Sequence, residues 1–186
     1  MCRPWSEGGL DIKPTRLINE ALILKLAWDL MAKDSQWSIL FKRHFFSNGK
    51  PITHYFESSI WLGIKEQIGT VLGNSLWMVG TEEKIPFRTD NWLGEPLVNL
   101  LHLDSDFHGH LHGKVSVVIV NGSWELPAAI IEYGDIQDRL ESLVLPTIQL
   151  PDVLVWPHAS DGILSLKHAL AFLRERSPLL PWADHI

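Results

Sequence analysis

Between residues 15 and 72 the apolar positions recur at three- and four-residue intervals, the mark of helices with one buried face. Leu17, Ile18, Ala21, Leu22, Leu24, Trp28 and Met31 trace a first helix beginning near Pro14 or Thr15. Ser35 is placed to cap a second helix with the stripe Trp37, Leu40, Phe41 and His44, which Asn48-Gly49 and Pro51 bring to an end. Ser58 or Ser59 opens a third, presenting Ile60, Trp61, Ile64, Ile68 and Val71 or Leu72. Short connections make these three a small bundle.

From Trp77 onward the period shortens. Residues 76–80 and 84–87 are strand candidates around Thr81-Glu82-Glu83, a predicted hairpin in which Pro86 confines the second strand to an edge. A compact turn at 90–97 and a loop rich in Asp and His at 102–112 follow. Residues 114–120 stay open between strand, which their β-branching favours, and short helix. Asn121-Gly122 turns into 123–126, and 135–145 read as a helix stopped by Pro146. The last unit is a strand at 152–156, a turn at Ser160-Asp161-Gly162, and a helix running to Arg174 with Ser165 as its N-cap. The expected fold class is α+β: an N-terminal helical bundle, then short hairpins and helices.

With 186 residues the chain fits one ordinary domain or two small ones, and 46% hydrophobic with 20% charged residues suits a globular protein. Its nine Trp are spread about one per predicted element, which reads as core anchors before it reads as a base-stacking platform. Charge is unevenly divided. Residues 1–75 carry nine Lys/Arg against seven Asp/Glu, net +2; residues 76–186 carry seven against fifteen, net −8. Nucleic-acid surfaces need clustered cations, so the second half is excluded as one. Lys42-Arg43-His44, with Lys50 nearby, forms the basic patch that could contact RNA or single-stranded DNA weakly; a solvated helix face explains it equally well. A single cysteine, Cys2, excludes an intramolecular disulfide framework and a Cys-rich zinc knuckle. No signal peptide is apparent, and apolar runs such as 21–24 fall far short of the roughly 18 residues of a membrane span. The expectation is a soluble intracellular protein with no cofactor and no identified protein partner.

The most suggestive cluster for chemistry is His108-x-His110-x-His112, with His102, Asp104 and Asp106 upstream, because alternate imidazoles on a strand could share a zinc ion. The surrounding Ser105, Gly109 and Gly113 describe a surface loop instead, so these three histidines are residual metal candidates and no metal site is expected. Two-metal polymerase chemistry needs paired acidic residues. Tyr55 and Tyr133 precede Phe-Glu-Ser and Gly-Asp-Ile, and no Asp-Asp pair occurs. Gly8-Gly9 lacks the following Gly-Lys-Ser/Thr of a phosphate-binding loop, and Ser123 and Ser165 read as turn and cap residues. No catalytic residue is assigned.

Three stretches taken in order carry a resemblance: Glu7-Gly8-Gly9-Leu10-Asp11-Ile12; residues 85–97 with their Asp90-x-Trp92-Leu93-Gly94; and residues 155–169 with Trp156, Gly162 and Lys167. This order resembles plant LINE-type (non-LTR) retrotransposon reverse transcriptases, from the polymerase thumb to the start of their zinc-binding domain. Trp77, Phe87 and Asn121-Gly122-Ser123-Trp124 fit the same pattern. The resemblance implies 1–75 as the thumb end, 76–150 as a connector, and 151–186 as the opening of the zinc-binding part. It favours a helix at 114–120. It implies structural motif positions at Gly8, Gly9, Trp77, Phe87, Asp90, Trp92, Trp124, Trp156, Gly162 and Lys167, with the catalytic aspartates lying upstream of Met1. Departures are Arg88 for a Trp, Thr81-Glu82-Glu83 for a glycine-rich turn, Leu164 for a Phe and Leu170 for a Tyr. The implied function is a catalytically inactive polyprotein segment; the alternative is a small nucleic-acid-binding module built on Lys42, Arg43, Lys50 and exposed Trp.

Overall fold

The computed structural model describes residues 14–47, 50–52, 58–81, 83–101, 113–131 and 134–175. Helices and short antiparallel strands alternate in it, a mixed α+β fold. The chain divides into two compact units, residues 1–71 with 158–186, and residues 72–157.

In the first unit, α1 (Thr15–Ala32) buries Ala21, Leu24, Ala27, Trp28 and Leu30, a face wide enough to meet both α2 (Gln36–Phe45) and α7 (Leu166–Glu175). Leu22, expected inside, is exposed. The N-caps form where the sequence puts them. The amides of Ser38, Trp61 and His168 donate to the hydroxyls of Ser35, Ser58 and Ser165, each at 3.2 Å. The stripe on α2 differs from expectation: Leu40 is 67% exposed, and Ser38 and Phe45 are buried. The Ser38 hydroxyl donates to the Lys33 carbonyl (2.6 Å) or the Ser35 carbonyl (2.8 Å), which lets a polar residue face inward. That rotation brings Phe41 and Phe45 against Trp61 of α3 (Ser59–Gly73), with ring centroids 5.7 and 4.5 Å apart. β1 (Phe46–Ser47) and β2 (Lys50–Pro51) form a small hairpin beyond α2.

In residues 72–157 the expected 76–87 hairpin does not form. β3 (Leu76–Met78) pairs antiparallel with β6 (Val153–Val155), Trp77 opposite Leu154, across most of the unit's sequence. Gly80 and Lys84 instead both meet one carboxylate: Asp152 Oδ1 accepts from the Gly80 amide (2.7 Å) and Oδ2 from the Lys84 amide (3.0 Å). Pro86 makes an isolated bridge with Lys114. Residues 115–118 form a 3₁₀ turn, resolving the open alternative at 114–120 into a short helix that runs into β4 (Ile119–Val120). Asn121 and Gly122, both at positive φ (52° and 76°), then make the tight turn to β5 (Ser123–Trp124). Helices α4 (Leu97–Leu100), α5 (Ala128–Ile131) and α6 (Gly134–Glu141) close over a core of Ile85, Phe87, Trp92, Leu97, Val115, Ile130, Ile136 and Leu140.

Candidate functional site

Of the basic residues singled out, Arg43 is exposed in the last turn of α2, where a cation also complements the helix dipole. Lys42 is half-buried, with Nζ 3.8 Å from Asp34 Oδ1. Lys50 lies in β2. Trp37 is partly exposed on α2 and tilts against Phe41 at 5.2 Å.

Gly8, Gly9, His108, His110 and His112 lie outside the described residues. Among the described residues no three His, Cys, Asp or Glu gather as metal ligands.

The remaining motif positions fall into two groups. Trp77, Phe87, Asp90, Trp92 and Trp124 converge within residues 72–157. Trp92, fully buried, stacks between Phe87 (5.5 Å, 29°) and Trp124 (5.4 Å, 24°), and its indole N–H donates to the Phe87 carbonyl at 2.8 Å. Trp77 packs against the same core, and its amide donates to the Asn91 carbonyl (2.7 Å) while Asn91 Nδ2 donates to the Ser75 carbonyl (2.8 Å). Gly94 at φ 86° lets the chain leave this turn toward α4. Trp156 is also fully buried. Gly162 (φ 69°) closes the turn before α7, and Lys167 is exposed on the first turn of that helix. Of the motif residues that converge, Phe87 and Trp92 are buried in the core, and Trp77 and Trp124 pack against it.

Asp90 sits beside this core. Burial pushes its carboxyl up from 3.8 to about 6, against the opposing pull of the Thr89 hydroxyl (3.3 Å), of Lys114 and of the Trp77 indole, which lies near without hydrogen-bond geometry. The native state thus holds this proton more tightly than the unfolded chain does. The stability it contributes is full below pH 3.8, declines as pH rises through about 6, and is gone above that. Asp90→Asn, which keeps an acceptor for Thr89, is expected to stabilise the protein by about 1–3 kcal/mol well above pH 6 and to change little near pH 4. Urea denaturation at the two pH values checks this; an equal effect at both would show that Asp90 is not the group responsible.

Asp152 is a structural residue whose role no local pattern reveals. Its two amide partners lie 72 and 68 residues away in sequence.

A small α+β protein with a Trp-centred core is what the fold defines. Over 184 positions the chain is 27% identical to an Arabidopsis thaliana protein described as "Putative ribonuclease H protein At1g65750", a match that takes in 93% of this chain. It spans 30% of that relative's length. No protein-family profile matches the chain, and no solved structure matches it. Among the described residues no helix is long and apolar enough to cross a membrane.

Proposed function

We infer that this chain is a plant retroelement-related segment without catalysis of its own, corresponding to the connector between the polymerase thumb and the zinc-binding and ribonuclease H regions of a non-LTR polyprotein. The observation that carries the reading is the similarity over nearly the whole chain to a plant protein described as a ribonuclease H, added to the ordered motifs. The burial of Trp92, Trp156 and Phe87 supports a scaffolding role for those motifs. The lack of any Asp-Asp pair supports the absence of polymerase chemistry from this segment. Nucleic acid is the partner class that the ribonuclease H relative suggests, contacted weakly if through Arg43 and its neighbours, since few cations are available there.

Purified chain with magnesium or manganese is expected neither to extend a primer on RNA or DNA templates nor to cleave RNA in an RNA–DNA hybrid above a mock purification. Template-dependent extension, or hybrid-specific cleavage, that co-purifies with the chain through a second column would overturn the reading.

A further inference from the structure

Beside the Trp124 ring, within residues 72–157, lies a cleft of about 260 Å³. Leu126 and Ile131 form part of its wall, and Ile136 and Leu140, one turn apart on α6, complete an apolar lining. Ile131 is 50% exposed at the lip, and the polar lining residues Gln137 and Glu141 are both solvent-exposed. The volume falls below the roughly 300–1,000 Å³ of sites that enclose a small molecule, and suits anchoring side chains of a larger partner.

Charge narrows the partner further. Residues 115–157 contain one Lys/Arg, Arg139, against six Asp/Glu. Arg139 is directed elsewhere: its Nη1 donates to the Leu93 carbonyl at 3.3 Å, beside Gly94. Glu141 is left as the charged side chain in the lining, and Glu125, between the lining residues Trp124 and Leu126 in sequence, is exposed as well. Such a rim repels phosphodiesters and anionic lipid alike, and attracts Lys and Arg.

The geometry points to this cleft as a docking groove for an amphipathic, Lys/Arg-flanked helix of a protein partner, its apolar side chains seated against Trp124, Ile136 and Leu140. The inference rests on residues 72–157 alone and stands independently of the retroelement reading.

The test uses the full chain and two labelled leucine–lysine peptides of identical composition, one with leucines at helical i, i+3, i+4, i+7 spacing and one scrambled. Fluorescence anisotropy near physiological salt is expected to show the amphipathic peptide binding at least about tenfold more tightly than the scrambled one. Ile131→Lys combined with Glu141→Lys, both at exposed positions, is expected to lower that affinity by about tenfold or more. Glu83→Lys with Glu95→Lys, a larger charge change (+4 against +3 for the lip variant) at exposed positions outside the cleft lining, is expected to leave the preference for the amphipathic peptide intact. Should the lip variant melt early, Gln137→Lys supplies the same block by itself. Equal binding of the two peptides, an unchanged affinity in the lip variant, or an equal loss in the Glu83/Glu95 variant would overturn the proposal. Displacement of the peptide by single-stranded RNA, lost in the lip variant, would assign the groove to nucleic acid and overturn it as well.

Discussion

Trp92→Ala is expected to cost about 3–5 kcal/mol, the range for removing a fully buried indole. Trp92 touches a ring on either side, Phe87 and Trp124, and also satisfies the Phe87 carbonyl through its N–H. Truncation therefore opens a cavity, breaks two stacking contacts and leaves an acceptor unpaired. Against a total stability of roughly 5–15 kcal/mol, that loss unfolds a large share of molecules at the warm end of a melt. Trp92→Phe keeps a ring but loses the donor, and is expected to cost less, with about 0.5–1.5 kcal/mol assigned to the hydrogen bond. Urea denaturation followed by near-ultraviolet circular dichroism reads both variants. A loss under about 1 kcal/mol for Trp92→Ala would be inconsistent with a fully buried ring at the centre of the core.

The contrast between Trp92 and Asp152 marks what could be read from the sequence. Features decided within a few residues were legible: the Ser35, Ser58 and Ser165 caps, the Asn121-Gly122 turn, and the start of α1 at Thr15. Where two local forces competed, the pattern misled. Apolar spacing on α2 rightly placed Phe41 against the core but also pointed to Leu40, whereas the Ser38 hydroxyl found the Lys33 carbonyl and Ser38 and Phe45 took the inward positions. Non-local pairing was not legible at all. Thr81-Glu82-Glu83 looks like a hairpin turn because nothing nearby announces that β3 will pair with β6. The same applies to α7, whose packing on α1 joins the two ends of the described chain. Truncating the chain near residue 75 would strip α1 of that partner, so nucleic-acid binding is better measured on the whole chain. For the candidate site, the motif residues were legible as a set, through their order. Their burial was legible in outline, since Trp spread about one per element reads as core anchoring and Trp92 and Trp156 are buried; the stacking of Trp92 on Trp124 was not, because it depends on the fold.

Asp152→Ala is expected to cost about 2–4 kcal/mol, because the carboxylate is 7% exposed and its loss leaves the amides of Gly80 and Lys84 without their acceptors. Asn is a poor substitute: its amide nitrogen would face an N–H donor in place of one oxygen. Gly80 belongs to the same joint from the other side. A Cβ there would collide with the Leu150 and Pro151 carbonyls, backbone atoms that cannot rotate away, while Thr81 donates through both its amide (2.8 Å) and its hydroxyl (3.0 Å) to the Leu150 carbonyl. Gly80→Ala must therefore push the backbone at Gly80 off Leu150 and Pro151, and is expected to cost about 1–3 kcal/mol by overpacking. Once the backbone at Gly80 has shifted, the Asp152 carboxylate no longer reaches both amides, so the second substitution has less left to remove. The double variant is accordingly expected to fall short of the sum of the singles by about 0.5–3 kcal/mol. Urea denaturation of the wild type, both singles and the double closes this cycle. Strict additivity would mean that Asp152 and Gly80 act separately and do not form one joint.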